Sequence, residues 1–310
     1  MNLIYFGTGT FGLPSLEALF SSKHRLLTVV TGHDKPKGRS LRPTPSPVKD
    51  WALQKGVPVF EYTKINEPET LARLSAMNAD VFVVIAFGVI FSADFLRIPK
   101  VLPVNVHSSL LPKYRGAAPI HRAIMNGDRK TGVSVVRVIE KLDAGDVLGT
   151  AETPILPEDD IVSLETRLAD LGAKALLESL GKISEGKATF SPQDDTLSTY
   201  ARKIEKEEGR IDWSKPATQI HDRVRALKVW PVCSSSVRGK RVLFLESRFR
   251  PEAVSARPGT ILSASRNSGI VVATGEGALE VLKLQMEGRT ALPSADFLNG
   301  FPLKAGELFE

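Results

Sequence analysis

Asn105 and His107 stand two residues apart in Val104-Asn105-Val106-His107, a short run that reads as a β-strand. Strand side chains alternate between faces, so the two project to the same side and can reach one reacting atom. A carboxamide and an imidazole supply hydrogen-bond donors for a developing oxyanion, and an imidazole is also the side chain that changes charge near neutral pH. Taken alone, an Asn-x-His pair also fits two satisfied polar residues at a strand end. The loop that follows favours a site. Ser108-Ser109-Leu110-Leu111-Pro112 is an irregular apolar turn stopped by proline, and Gly116-Ala117-Ala118 has almost no bulk before Pro119, where a helix can start. Flat apolar surface beside free backbone groups suits a planar ligand.

Asn105-x-His107-x-Ser109-Leu110-Leu111-Pro112, followed by Tyr114-Arg115-Gly116-Ala117-Ala118-Pro119, resembles the signature of the formyltransferases that use 10-formyltetrahydrofolate. The Arg-Gly-Ala-Ala-Pro extension is most similar to the methionyl-tRNA formyltransferases among them. The resemblance implies a third catalytic residue, an aspartate in a Leu-Asp-Thr-Gly-Asp loop. The matching stretch is Leu142-Asp143-Ala144-Gly145-Asp146, with Ala144 where threonine is usual, an exchange that a backbone turn tolerates at the loss of any hydroxyl contact. It also implies 10-formyltetrahydrofolate as donor and co-substrate, initiator methionyl-tRNA as acceptor, and no bound metal. In such a reaction a free α-amine attacks the formyl carbon. Asn105 and the imidazolium of His107 donate to the oxyanion, each such donor typically being worth ~3–4 kcal/mol of barrier. Asp143 holds His107 and helps move the proton to the leaving N10.

These residues need elements to hold them. Leu3 to Phe6 is an apolar run that ends at Gly7-Thr8-Gly9-Thr10-Phe11-Gly12, after which Ser15 to Phe20 reads as a helix. That is the opening of a doubly wound α/β unit with a mostly parallel sheet. The Gly-x-Gly-x-x-Gly spacing, with Asp34 further on, is also what a dinucleotide site uses; the resemblance implies instead a tight turn and an open pocket floor over which the methionyl ester enters. Leu26 to Thr31 and Asp80 to Ala86 are further apolar strands, as expected when both sheet faces are covered. Ligands of a parallel sheet gather beyond the strands' carboxyl ends, so Phe87 and Gly88 join the candidate folate contacts Ser109, Leu110, Leu111 and Pro112. Thr131 to Glu140 and Val147 to Ile155 read as strands. Asp159 or Asp160 caps a long helix with an apolar stripe at Leu164, Leu168, Leu171, Ala175 and Leu176.

Residues 32–49 break that rhythm, with five basic residues against one acid, four prolines and two glycines, and read as a loop. Methionyl-tRNA formyltransferases have a basic insertion at this place, which implies tRNA contacts from Lys35, Lys37, Arg39 and Arg42. Residues 1–190 are expected to form the catalytic domain, 191–210 a charged linking strap that includes the tRNA candidate Lys206, and 211–310 a tRNA-binding domain. That last stretch turns to short strands with glycine turns, the texture of a small β-barrel of the oligonucleotide-binding (OB) type. Between 222 and 250 it has eight Lys or Arg and two acids, a candidate polyanion track.

Composition sets outer limits. A net charge of +6 and a pI near 9.3 favour polyanionic partners. Cys233 is the single cysteine, which excludes an intramolecular disulfide and reads as a small buried hydrophobe. His24, His33 and His121 have no metal-ligand spacing and read as structural or surface residues. No membrane-length apolar run or export leader is evident, so a cytoplasmic monomer is expected. Two other functions share part of these features. An amino-sugar-nucleotide N-formyltransferase would use Asn105, His107 and Asp143 without needing a polyanion track, and a non-catalytic RNA-binding protein would use the basic segments alone.

Overall fold

The computed structural model describes residues 1–37, 42–267 and 269–310, with the main chain alone at Lys35, Lys37 and Arg42. They fall into two compact units, 1–119 with 130–154 and 165–202, and 120–129 with 155–164 and 203–310. The short segments 120–129 and 155–164 therefore group with the C-terminal part of the chain.

The first unit is built on a seven-stranded sheet. Across it run Val147–Pro154, Lys130–Arg137, Leu102–His107, Val81–Ile85, Asn2–Gly7, Arg25–Gly32 and Val59–Tyr62. The last five are mutually parallel, and Lys130–Arg137 is antiparallel to both its neighbours. Leu3 to Phe6 and Val81 to Ile85 are buried without a break, because the central strands are covered on both faces. One layer is aromatic. Phe6, Phe82, Phe87, Phe91 and Phe95 share a core cluster, Phe91 and Phe95 stacking with ring centroids 4.1 Å apart. The helix Ile161–Ser184 starts at Asp160, whose Oδ1 accepts from the N–H groups of Val162 at 2.9 Å and Ser163 at 3.0 Å. Its Leu164, Leu168, Ala175 and Leu176 are buried and Leu171 half-buried. A Cβ on Gly172 would lie 2.9 Å from Val106 Cγ1, so this helix rests directly on the sheet face that carries Val106. Strand alternation then sends Asn105 and His107 to the opposite face.

The described residues of 32–49 are not the structureless loop their composition suggested. Lys35–Lys37 pairs antiparallel with Arg42–Thr44, Pro36 opposite Pro43. A helix, Pro47–Lys55, follows, capped by Ser46 Oγ, which accepts from Lys49 N at 3.1 Å. Proline breaks an interior strand, but a two-stranded ribbon has free edges where its missing N–H costs nothing. The ribbon is fixed at its root. Lys49 Nζ reaches Asp34 at 2.7 Å and Glu61 at 2.9 Å, and the Thr31 and Ser46 hydroxyls bond at 2.9 Å.

The C-terminal part of the second unit is a small, barrel-like antiparallel sheet. Cys233–Val237, Lys240–Arg250, Ala278–Met286, Gly269–Ala273 and Ile261–Ser265 lie in that order, with Ala291–Pro293 beside Ala278–Met286. Register shifts on both sides of Glu246 let the long strand bend. Trp213, Phe244 and Phe309 fill the core, and the Trp213 indole N–H donates to Ser235 Oγ at 2.9 Å. Cys233 is fully buried among them, and desolvation pushes its thiol up to about 12. Among the described residues no helix is long and apolar enough to cross a membrane.

Candidate active site

The strand Leu102–His107 runs beside Val81–Ile85, with Asn105 opposite Val84. Lys130–Arg137 leaves the sheet next to Val104, and the loop after it returns over the same face. Asp143 thereby comes to lie against both Asn105 and His107. The Asn105 amide donates to Asp143 Oδ1 at 3.3 Å, and His107 Nδ1 lies 3.6 Å from Oδ2. Two shorter contacts fix the frame. The Gly116 N–H donates to Asp143 Oδ2 at 2.8 Å, and His107 Nε2 donates to the Tyr114 carbonyl at 2.8 Å. The tight bonds hold the imidazole and the carboxylate, while the long ones leave Asn105 Nδ2 and His107 Nδ1 available to a substrate oxygen; catalytic contacts commonly tighten only in the complex. His107 is 6% exposed, so donors here act with little competition from water.

Two glycines make this approach possible. Gly116 has φ 110, and a Cβ there would lie 2.9 Å from the Ala201 carbonyl oxygen. A Cβ on Gly145 would lie 1.9 Å from the Arg137 carbonyl oxygen. Larger residues would push the Asp143 loop off the sheet or break the pairing of Arg115–Gly116 with Tyr200–Ala201.

The candidate folate contacts separate by burial. The Ser109 hydroxyl is fully buried and donates to the Lys113 carbonyl at 2.6 Å. Ser134 Oγ ties the turn to the sheet, accepting from Leu111 N at 3.0 Å and donating to the Ser109 carbonyl at 2.8 Å. Leu110 and Pro112 are half-buried and can present apolar surface, whereas Leu111 points inward. The Phe87 ring is committed to the core, packed against Phe6, Tyr62 and Phe91, so a ligand could meet this residue only through its main chain. Gly88, with φ 68, is exposed beside it.

The glycine turn has an internal occupant. A Cβ on Gly12 would lie 1.8 Å from the Tyr5 hydroxyl, and one on Gly7 would lie 2.6 Å from the Tyr5 ring. The spacing that suits a dinucleotide here makes room for a buried phenol from the preceding strand.

Of the candidate tRNA contacts, Lys35, Lys37 and Arg42 lie on the short ribbon, Arg39 falls outside the described residues, and Lys206 is exposed in the turn Lys206–Gly209. Six of the eight basic residues between 222 and 250 meet carboxylates. Arg223 pairs with Glu208, Arg225 with Asp222, Lys228 with Asp160, Arg238 with Glu307, Arg241 with Glu287 and Arg250 with Glu280. Arg241–Glu287 is exposed on both sides, the kind of pair that contributes only ~0–1 kcal/mol, whereas Arg225–Asp222 is largely buried. Among the described residues, no three His, Cys, Asp or Glu side chains are placed to hold a metal ion.

Residues 1–180 match the formyl transferase family and 203–302 match the formyl transferase C-terminal domain, and the chain belongs to that family. It is 43% identical over 311 residues to a methionyl-tRNA formyltransferase of Sulfurihydrogenibium sp., covering 100% of both chains. Solved structures share the fold at lower identity. An N-formyltransferase from Helicobacter canadensis in complex with folinic acid and dTDP-3-aminofucose superposes with TM-score 0.67 at 16% identity, over 94% of this chain and 99% of that one. HypX from Aquifex aeolicus in complex with tetrahydrofolic acid gives TM-score 0.61 at 19% identity, over 99% of this chain and 50% of the longer HypX chain.

Proposed function

We propose that this protein transfers the formyl group of 10-formyltetrahydrofolate to the free amino group of methionyl-initiator tRNA. The observation that carries the reading is the convergence of Asn105, His107 and Asp143 on one side of the sheet. The amine lone pair attacks the formyl carbon, the bond from that carbon to N10 of the folate breaks, and the proton released by the amine passes to N10. Asn105 Nδ2 and His107 Nδ1 take the oxyanion, and Asp143 steadies the imidazolium and relays the proton. The half-buried Leu110 and Pro112 offer apolar surface that a pterin ring stacks on, and the main chain at 87–88 offers it hydrogen-bonding groups.

Lys35, Lys37 and Arg42 on the ribbon, together with Arg39 and Lys206, serve the phosphates of the acceptor tRNA. The enzyme works as a cytoplasmic monomer; the origin of all three reacting groups in one chain supports the second point. The test is incubation with 10-formyltetrahydrofolate and charged initiator tRNA, followed by analysis for N-formylmethionine. Product is expected, with acceptor affinity that falls steeply as salt rises. Failure to form it, or formylation of an amino sugar nucleotide in its place, would overturn the reading.

A further inference from the structure

We propose that Gln193 is a positioning residue for formyl transfer, holding the Asp143 turn so that its carboxylate stays aimed at Asn105 and His107. The inference rests on the formyl-transfer reading above. Gln193 lies in the segment after the long helix, far in sequence from the reacting groups, yet its carboxamide is fully engaged with the main chain of the Asp143 turn and with Arg115. Its Nε2 donates to the Asp143 carbonyl at 2.8 Å and to the Gly145 carbonyl at 2.7 Å. Its Oε1 accepts from Arg115 Nε at 3.1 Å and Nη2 at 2.8 Å. Only one orientation of the amide satisfies all four contacts.

These bonds close a ring. Arg115 precedes Gly116, whose N–H grips the Asp143 carboxylate, and Gln193 joins Arg115 to the main chain of the Asp143 turn. The ring is anchored further out. Asp195 pairs with Arg115 at 2.7 Å and Lys141 at 2.6 Å, and the Lys141 ammonium, then the Arg115 guanidinium, hold its carboxyl below the ordinary range. Such an anchor has something to hold. Asp143 has φ 51, a left-handed conformation that a non-glycine residue keeps only where its surroundings over-determine it. A carboxamide is the group required here, because it offers two donors to two carbonyls and an acceptor to a guanidinium in one plane. Glutamate would keep the partner for Arg115 but set acceptor oxygens against both carbonyls, and asparagine falls one methylene short.

The experiment compares wild type with Gln193→Glu, Gln193→Ala and Gln193→Asn. It measures kcat and KM for 10-formyltetrahydrofolate and methionyl-tRNA, scaled to the folded fraction by folinic acid binding. The expected result is a kcat lowered about 100-fold in Gln193→Glu and Gln193→Ala, with both KM values and folinic acid affinity within about threefold of wild type. Gln193→Asn, which keeps the amide, recovers part of the loss. A residue that only supports folding would lower the folded fraction and leave kcat per folded molecule unchanged, and that result overturns the proposal. Should none of the variants fold, the Gln193 side-chain amide protons of ¹⁵N-glutamine-labelled wild type decide it. Slow exchange supports the clamp, and exchange as fast as in free glutamine overturns it. An inactive wild type sinks the functional reading and this inference together, whereas an active wild type with an unimpaired Gln193→Glu sinks this inference alone.

Discussion

Asp143→Asn removes a charge while keeping the shape of the side chain. The carboxylate stands 3.6 Å from His107 Nδ1, and the two side chains are 10% and 7% exposed. At an effective dielectric constant of ~20, a unit charge pair at that separation interacts by about 4–5 kcal/mol, or roughly three powers of ten in rate if it acts only once the imidazolium forms. A second penalty arises because the amide cannot accept on both sides. Either the Gly116 N–H or the Asn105 amide loses its acceptor, and a buried donor without a partner costs ~1–3 kcal/mol. The variant should therefore bind folinic acid and methionyl-tRNA much as wild type does, melt a few degrees lower, and turn over about 10³-fold more slowly. Single-turnover transfer of a radiolabelled formyl group separates chemistry from product release. A rate within about fivefold of wild type, with binding intact, would falsify the assignment of Asp143 as the partner of His107.

Other expectations concern stability. Among the described residues the buried Tyr5 hydroxyl has no hydrogen-bond partner, so Tyr5→Phe should leave the melting temperature unchanged or raise it, whereas Gly12→Ala should cost ~1–3 kcal/mol. Because the new methyl group collides with that hydroxyl, adding Tyr5→Phe to Gly12→Ala should restore part of the loss; strictly additive effects in a denaturant titration would argue against it. The His221 imidazole is held down to about 4 by burial and by the Arg225 charge. A base with a lowered folded-state pKa contributes stability that is full above its unfolded value near 6.5 and is lost as pH falls toward 4, by up to ~3 kcal/mol. Melting curves of wild type and His221→Phe across that window should converge at the acid end, and parallel curves would contradict the assignment. Arg122 meets the buried Glu208 carboxylate at 2.9 Å, so Arg122→Ala should cost ~3–5 kcal/mol, while pairing it with Glu208→Leu should cost less. Losses that simply add in the double variant would show that the pair does not act as a unit.

How much of this was legible in the residues depends on the range over which each feature is encoded. Asn105 and His107 could be placed together because strand alternation is local, and the apolar central strands were evident for the same reason. Asp143 follows them by more than thirty residues and was legible only as part of a motif; its placement depends on a loop that folds back across the sheet. Gln193 carried no signal at all, being one polar residue in a charged strap, and its importance comes from carbonyls that the fold brings to it. The ribbon at 35–44 was hidden by its prolines, which are breakers in most strands and harmless on a free edge. Phe87 was correctly placed at a strand's carboxyl end, but neither spacing nor position revealed that its ring turns into the aromatic core. The basic stretch at 222–250 read as a continuous track because the carboxylates that meet it come mostly from distant parts of the sequence.

The central claim is that Asn105, His107 and Asp143 act on one carbonyl group. The most direct measurement is a crystal structure with an unreactive 10-formyl folate analogue bound. The account predicts the formyl oxygen about 3 Å from both Asn105 Nδ2 and His107 Nδ1, with Asp143 still against the imidazole. A formyl group held elsewhere, in a fully occupied and ordered site, would contradict it.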